Sequence, residues 1–216
     1  MLVCRCFNEL SHAEEFLSGK IRMMSLRYYR KMEDDNHGRK DKYEGSEKLW
    51  QGKNTTLTID GKKITSQDGL VSVIIRTDSY EKNTKICCCT LLPITNRIEG
   101  LDNLRKFHLP YTILFKEPDE FINRFKKAAT GKNFATGKVS FFDEKTYNGD
   151  LTAFQKPNSF KWQNEFRLLL ESPTEDPFYL NIGDIHDIAS IYDTDKLIEL
   201  LARVSNTDIN KMIFKK

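Results

Sequence analysis

The sequence contains no apolar run that approaches the roughly 20 residues needed to cross a bilayer, so no membrane span is expected. Its first residues, MLVCRCFNEL, lack a charged segment followed by an apolar one, which argues against a secretory signal. No repeat, low-complexity tract or Pro/Gly-rich linker interrupts the chain. We therefore expect one domain over residues 1–216, in a cytoplasmic protein with no membrane partner.

Cysteine is scarce, and an excess of charge of one sign is also lacking. The five cysteines are Cys4, Cys6 and the triplet 87–89, with no CxxC pair, so we expect small buried hydrophobic residues rather than a zinc site. The 34 basic and 31 acidic residues give a net charge of +3, which neither indicates nor excludes nucleic acid. A hydrophobic content of 39% is enough for a real core.

The sequence does contain a series of short β-prone stretches with few helices between them. Asp60-Gly61 favours a tight hairpin turn, and Pro118 suits the first turn of a helix. This order predicts an α+β fold with mostly antiparallel sheets and a few helices, rather than alternating βαβ units. The predicted strands are LVCRCF, IRMMSL, TTLTID, KKITS, LVSVIIRT, KICCCTLL, YTILFK, GKVSFFD, KWQNEFRLLLE, FYLNIG and DIASIYD.

A polar segment from Arg30 to Lys53 is predicted to be a long loop with one helical turn near residues 47–50. Loops of this length in compact domains are usually functional or mobile. Its acidic residues leave one hypothesis open, a metal-dependent nuclease, although their spacing fits no EF-hand. These acids are Asp34, Asp35, Asp41 and Glu44.

The stretch KWQNEFRLLLE is predicted to be a strand in which apolar and polar residues alternate. Phe166, Leu168 and Leu170 fall on one face. Gln163 and Glu165 stand side by side on the other face, either on a wet outer surface or on the floor of a site.

Two earlier strands carry further candidate residues. Arg5 lies at the centre of an otherwise apolar strand, and its permanently charged, planar guanidinium suits a carboxylate or a phosphate. Ser25 lies in the next strand. It is followed by Tyr28 and Tyr29, predicted on opposite faces of an extended segment, and by Arg30.

Together, Arg5, Ser25 and Gln163-Asn164-Glu165 resemble the Arg–Ser–[Gln/Glu]-x-Glu pattern of mono-ADP-ribosyltransferases. The stretches SLRYYR, RKDKYEG and NEFRLLLE also resemble a family of poorly characterised prokaryotic and phage-defence proteins. The resemblance implies an ADP-ribosyltransferase-like fold and an enzyme that cleaves NAD, its substrate, and transfers ADP-ribose to a macromolecule.

The resemblance also implies a role for each residue. Glu165 would stabilise the oxocarbenium-like transition state, and Gln163 would orient the acceptor. Arg5 would hold the NAD pyrophosphate, within a binding group that includes Ser25 and Arg30. Tyr28 or Tyr29 would stack on nicotinamide. A glutamine at 163 disfavours arginine as acceptor, because an amide cannot take up a proton.

The resemblance further implies a toxin or antiphage defence effector, controlled by an antitoxin or another inhibitor protein. The acceptor is expected to be RNA or DNA, or else a protein. Basic stretches at Lys126-Lys127 and Lys132, with Phe125 and Phe134 nearby, would suit a phosphate backbone. They equally suit an ordinary helix end.

Simpler alternatives stay open for each residue. Arg5 equally suits an ion pair with an acid such as Glu9 or one in the polar loop, and Ser25 suits a neutral strand position. Glu165 equally suits a surface carboxylate opposite Lys161 or Arg167. A separate hypothesis is a non-catalytic module that uses the same cleft to bind a nucleotide or a partner.

Overall fold

The structure is a computed structural model that describes residues 1–32, 40–93 and 97–203. The strands in these ranges are β1 Leu2–Phe7, β2 Lys20–Ser25, β3 Lys48–Gln51, β4 Leu57–Ile59, β5 Lys62–Ile64, β6 Ser72–Ile75, β7 Thr84–Leu92, β8 Tyr111–Phe115, β9 Phe134–Lys138, β10 Ser140–Phe142, β11 Gly149–Asp150, β12 Gln155–Pro157, β13 Glu165–Glu171, β14 Phe178–Asn181 and β15 Ala189–Asp193. The α-helices are α1 Leu10–Leu17, α2 Leu26–Lys31, α3 Asp78–Asn83, α4 Arg97–Arg105, α5 Pro118–Ala128 and α6 Thr194–Arg203. Short 3-10 helices lie at Gly52–Asn54, Ser66–Asp68 and Asn158–Gln163.

Eight strands form the main sheet, in the order β14-β2-β7-β1-β8-β15, with β13 also pairing with β7 and β9 pairing with β13. All pairings in this sheet are antiparallel, whereas β10 and β12 pair in parallel. The predicted α+β class with mostly antiparallel sheets is therefore confirmed. Strand β7 is central and largely buried, as its apolar sequence predicts.

The sheet splits alongside β7. One edge of β7 pairs with β13 from Thr84 to Thr90. On the other edge, β2 pairs at Lys85 and Ile86 and β1 pairs from Thr90 onward. Residues 87–89 lie in the gap between β2 and β1, where no described strand pairs with that edge. This gap admits side chains to the middle of the sheet.

Helices cover both faces of the sheet. Helices α1 and α5 bury Phe16, Phe121 and Phe125 against β7, β8 and β13. Helices α4 and α6 bury Leu104 and Leu197 with their neighbours against β1 and β8. Among the residues that the structure describes, no helix is both long and apolar enough to cross a membrane.

The segment KWQNEFRLLLE differs from its prediction as one continuous strand. Residues Asn158–Gln163 form a 3-10 helix, and Asn164 adopts a left-handed conformation with φ 41°. Strand β13 begins only at Glu165. Its polar face is not wet either, since Arg167 is fully buried.

The polar segment from Arg30 to Lys53 also differs from the predicted loop. Residues 48–51 form strand β3 instead of a helical turn, because they pair with β6. Tyr28 and Tyr29 lie on helix α2 and not on an extended segment, because Ser25 caps a helix there. The hairpin at Asp60-Gly61 is confirmed, with both residues at positive φ.

Candidate functional site

A cavity of about 130 Å³ lies beside the split in the sheet. Its walls come from β1, β7, β12, β13, helix α2 and the segment around residue 44. The lining includes three cations and two carboxylates along with Gln163. The charged side chains are Arg5, Lys156, Arg167, Glu44 and Glu165.

Arg5 fills the gap between β1 and β2. Its Nη1 donates to the carbonyl oxygen of Cys88 and to Sγ of Cys87 at 3.0 Å. The guanidinium carbon also lies 5.4 Å from the ring centroid of Phe7 and 5.3 Å from that of Phe16. Within the described residues Arg5 makes no ion pair, so the alternative of a pair with Glu9 is wrong. The polar-loop acids Asp34 and Asp35 lie outside those residues.

Arg5 remains charged in this position. Burial lowers its pKa, but the neighbouring Cys87 and Cys89 raise it above the ordinary value for arginine. Its Nε is buried and has no hydrogen-bond partner among the described residues. A buried cation with spare donor capacity suits an anionic group of a ligand.

Arg167 forms the centre of a buried charge network. Its Nη1 and Nη2 donate to the two carboxylate oxygens of Glu44 at 2.8 and 2.6 Å. Its Nε donates to Oε1 of Glu165 at 2.6 Å, and Nη1 also donates to the carbonyl oxygen of Ala153. This fork geometry fixes Glu165 at the cavity wall.

Lys156 binds the other side of Glu165. Its Nζ donates to Oε2 of Glu165 and to Oε1 of Gln163, both at 2.9 Å. Gln163 and Glu165 thus lie close together, as predicted, and Lys156 of β12 is hydrogen-bonded to both side chains. Both residues are only 4% exposed, so the surface-carboxylate alternative for Glu165 is wrong.

Glu165 is held in its ionised form. Burial alone would raise its pKa, but the positive charges of Arg167 and Lys156 lower it well below the ordinary value. Each carboxylate oxygen has two lone pairs, so Glu165 retains acceptor capacity beyond these two cations. Glu165 can therefore accept a hydrogen bond from a ligand hydroxyl in the cavity.

Asp41 is a further buried acid near this network. Its Oδ1 accepts from the backbone N of Tyr43 at 2.8 Å, and its Oδ2 has no partner among the described residues. Burial and the negative charge of Glu44 raise the pKa of Asp41 to about 7. Asp41 is thus a proton-binding group close to the cations of the site.

The turn that carries Glu44 depends on a glycine. Gly45 has φ +73°, and a Cβ at this position would lie 2.9 Å from Cβ of Glu81 and 3.3 Å from that of Leu26. A residue with a side chain is therefore excluded by both conformation and space. Glycine lets the turn pack against helices α2 and α3 and places Glu44 opposite Arg167.

Ser25 does not line the cavity. Its Oγ accepts from the backbone N of Tyr28 at 3.1 Å, which makes it the N-cap of α2. The hydroxyl also donates to Asp176, whose other oxygen accepts from the buried Lys85 at 2.7 Å. The structure gives Ser25 a folding role, separate from Arg5 and Glu165.

The residues that follow Ser25 have separate positions. Tyr29 lines the cavity, whereas Tyr28 is 39% exposed on the outside of α2. Arg30 is paired with Glu81, its Nε donating to Oε2 at 2.9 Å. Of the predicted binding group, the structure brings Arg5 and Tyr29 to the cavity and leaves Ser25, Tyr28 and Arg30 outside its lining.

Only two of the four acids proposed for a metal site, Asp41 and Glu44, lie among the described residues. Asp34 and Asp35 lie outside the described residues, and Glu44 is bound to Arg167. Within residues 1–32, 40–93 and 97–203, no group of three or more His, Cys, Asp or Glu side chains is arranged to hold a metal ion.

Sequence reasoning missed Lys156 and the partnership of Glu44 with Arg167. Lys156 lies in a three-residue strand with no periodicity to mark it. Glu44 belongs to the polar stretch RKDKYEG, whose sequence gives no sign of a buried acid. The one sequence signal for a buried partner is Arg167, a charged residue in an otherwise apolar strand, because a buried charge needs a partner.

The arrangement combines an ionised, oriented carboxylate with cations and an aromatic ring around a small cavity. Such a set can stabilise positive charge that develops on a bound sugar and can hold an anionic group beside it. Comparison of the chain with protein-family models, curated proteins and solved structures finds no match.

Proposed function

We propose that the protein is an ADP-ribosyltransferase that cleaves NAD and transfers ADP-ribose to a macromolecular acceptor. The observation that carries this proposal is that Arg5 lines the same cavity as Gln163 and Glu165, although it is remote from them in the sequence. The resemblance to the Arg–Ser–[Gln/Glu]-x-Glu pattern supports the same activity. Tyr29 adds an aromatic ring to that cavity.

The cavity volume of about 130 Å³ limits what enters it. Sites that enclose a whole small molecule usually have roughly 300–1,000 Å³, so only a part of NAD enters here and not the entire dinucleotide. We assign this place to the nicotinamide ribose and its base. The pyrophosphate then lies toward Arg5, a cation of the lining whose buried Nε has no hydrogen-bond partner within the described part of the chain.

In the proposed reaction, the bond between the ribose C1′ and the nicotinamide nitrogen breaks. Nicotinamide leaves with the bonding electrons as a neutral molecule, and positive charge develops on the ribose. Glu165 accepts a hydrogen bond from a ribose hydroxyl and stabilises this charge. A nucleophile of the acceptor then bonds to C1′ and releases its proton to water. Gln163, fixed by Lys156, orients that nucleophile.

Incubation of the purified chain with labelled NAD and a lysate tests the proposal. Glu165→Gln is expected to lower nicotinamide release about 100- to 1,000-fold, because the charge-stabilising carboxylate is lost. Glu171→Gln is the matched control, since Glu171 is exposed at the far end of the same strand. Release that is equal in all three proteins would refute the role of Glu165. Thermal melts establish that each variant is folded.

A second variant, Gln163→Glu, tests the proposal without removing a buried charge. Gln163→Glu supplies the proton-accepting group that the amide lacks, so arginine-containing acceptors are expected to gain label relative to wild type. An unchanged acceptor profile in this folded variant would contradict the orienting role of Gln163. This test remains informative if Glu165→Gln fails to fold.

The toxin or antiphage role is part of the same proposal. An enzyme that consumes NAD must be restrained in its own cell, which suits control by an antitoxin or another inhibitor protein. Expression in a bacterial host is expected to arrest growth for wild type and not for Glu165→Gln. Growth arrest by both proteins would show that any toxicity is unrelated to this site.

A second candidate function is a non-catalytic nucleotide-binding module. The observation in its favour is that both oxygens of Glu165 already bind a cation, Arg167 on one side and Lys156 on the other. Calorimetry combined with a nicotinamide assay separates the two functions. NAD binding without nicotinamide release would support the module and exclude the transferase.

A further inference from the structure

An aromatic pair lies beside the cavity. Phe107, just after helix α4, lines the cavity, and its ring centroid is 4.8 Å from that of Trp162. Trp162 immediately precedes Gln163 in the 3-10 helix Asn158–Gln163. Both rings are partly exposed at the border of the site.

Basic side chains surround this pair. Arg105, Lys106, His108 and Lys161 are exposed, and Nζ of Lys106 lies 5.8 Å from the Trp162 ring centroid. We call these four residues together with Phe107 and Trp162 the rim. The nearby acids on helix α4 are Glu99 and Asp102, and Asp102 pairs with Arg105 at 2.6 Å.

The combination has a chemical preference. Aromatic rings interleaved with cations bind single-stranded nucleic acid, because bases stack on the rings while the cations follow the phosphates. A duplex does not offer such base faces, because its bases are stacked on one another. The alternation is visible in Arg105-Lys106-Phe107-His108 and in Lys161-Trp162.

The backbone at the rim is also unusual. His108 has φ 50°, a left-handed conformation that a non-glycine residue seldom adopts. Asn164, two residues beyond Trp162, has φ 41°. Such conformations persist where the surrounding structure imposes them, and they are concentrated at functional sites.

We propose that the rim binds a single-stranded nucleic acid, with one base stacked on Phe107 and Trp162, and thereby delivers the acceptor to the cavity. The transfer to that strand rests on the proposed ADP-ribosyltransferase activity, whereas the binding does not. The rim replaces the basic stretch at Lys126-Lys127 and Lys132 as the nucleic-acid surface. That stretch does not line the cavity, and Phe125 beside it is fully buried.

Binding is tested first, without NAD. A fluorescein-labelled, mixed-sequence single-stranded RNA or DNA is titrated with the protein at several salt concentrations and followed by anisotropy. Lys106→Glu and Lys161→Glu are expected to weaken binding and to reduce its dependence on salt. Lys127→Glu, an exposed lysine of helix α5, is the matched control and is expected to bind as wild type does.

Stacking is tested by tryptophan fluorescence. The chain contains two tryptophans, so Trp50→Phe leaves Trp162 as the sole reporter. Addition of the oligonucleotide is expected to quench its emission, and Trp162→Ala is expected to weaken binding about ten-fold. A duplex of the same sequence is expected to bind more weakly and to cause less quenching.

The outcomes separate the two proposals. Binding that is absent at low salt overturns the proposal that the rim binds nucleic acid. Binding that is unchanged in both lysine variants and in Trp162→Ala overturns it as well. Label transferred to protein while no oligonucleotide binds overturns the rim and leaves the transferase intact. Rim-dependent binding by a chain that releases no nicotinamide supports the rim and overturns the transferase.

Discussion

Substitution of Glu44 by glutamine is expected to destabilise the fold strongly. Glu44 is 4% exposed and accepts two hydrogen bonds from Arg167, which is itself fully buried. Glutamine keeps the size and shape, but it offers one carbonyl oxygen and places an NH₂ group against a guanidinium donor. Arg167 is then left with Glu165 as its only anionic partner in the network.

The magnitude follows from the cost of an uncompensated buried charge. Breaking one member of a buried pair typically costs about 3–5 kcal/mol. A domain of ordinary stability has about 5–15 kcal/mol in total, so this loss is readily measured. Urea unfolding followed by circular dichroism gives the free energy, and an unchanged denaturant slope establishes that the compactness of the two states is preserved.

Glu144→Gln is the matched control for this prediction. Its carboxylate lies 3.5 Å from Lys42, and both side chains are substantially exposed. Surface pairs of this kind contribute about 0–1 kcal/mol, so the control is expected to be nearly neutral. If Glu44→Gln and Glu144→Gln lose the same free energy, the buried network does not stabilise the fold in the way described.

Two further predictions concern groups outside the catalytic assignment. Because the pKa of Asp41 is about 7 when folded and about 3.9 when unfolded, the folded state binds more protons between these values, and stability falls as pH rises from 4 to 7. The free energy of unfolding of Asp41→Asn is therefore expected to rise, relative to that of wild type, by on the order of 2–4 kcal/mol between pH 4 and pH 8. Urea unfolding at several pH values measures this difference, and a difference that does not change with pH would refute the prediction. Ser25→Ala is expected to lose about 2–3 kcal/mol, from the helix cap and the bond to Asp176, with nicotinamide release unchanged. A large loss of activity in the folded Ser25→Ala protein would return Ser25 to the site.

The parts of the fold that follow from local chemistry were predictable from the sequence. The Asp60-Gly61 turn, the central position of β7 and the start of α5 at Pro118 each depend on a few neighbouring residues. The break at Asn164 was not predictable. Its left-handed conformation accompanies two hydrogen bonds with Leu91 of the adjacent strand, and this partner is remote in the sequence.

The candidate site shows the same division. Alternation along β13 placed Glu165 and Arg167 on one face, and the charge of Arg5 in an apolar strand indicated a polar partner. The alternation could not show that this face is buried, because burial depends on Lys156 and Glu44 arriving from other elements. Glu44 and Arg167 are separated by 123 positions. The sequence contains many other acids and does not single out Glu44 as the partner of Arg167.

The buried network is better explained by the site than by stability. Replacing a whole buried ion-pair network with apolar residues of similar size is often neutral or stabilising, so stability alone gives little reason to bury Arg167, Glu44, Glu165 and Lys156 together. The network does keep the carboxylate of Glu165 ionised, and it fixes its position through Arg167 on one side and Lys156 on the other. Such a group can stabilise positive charge that develops on a bound sugar. The large cost expected for Glu44→Gln is thus the cost of disturbing an arrangement whose proposed purpose is to hold Glu165.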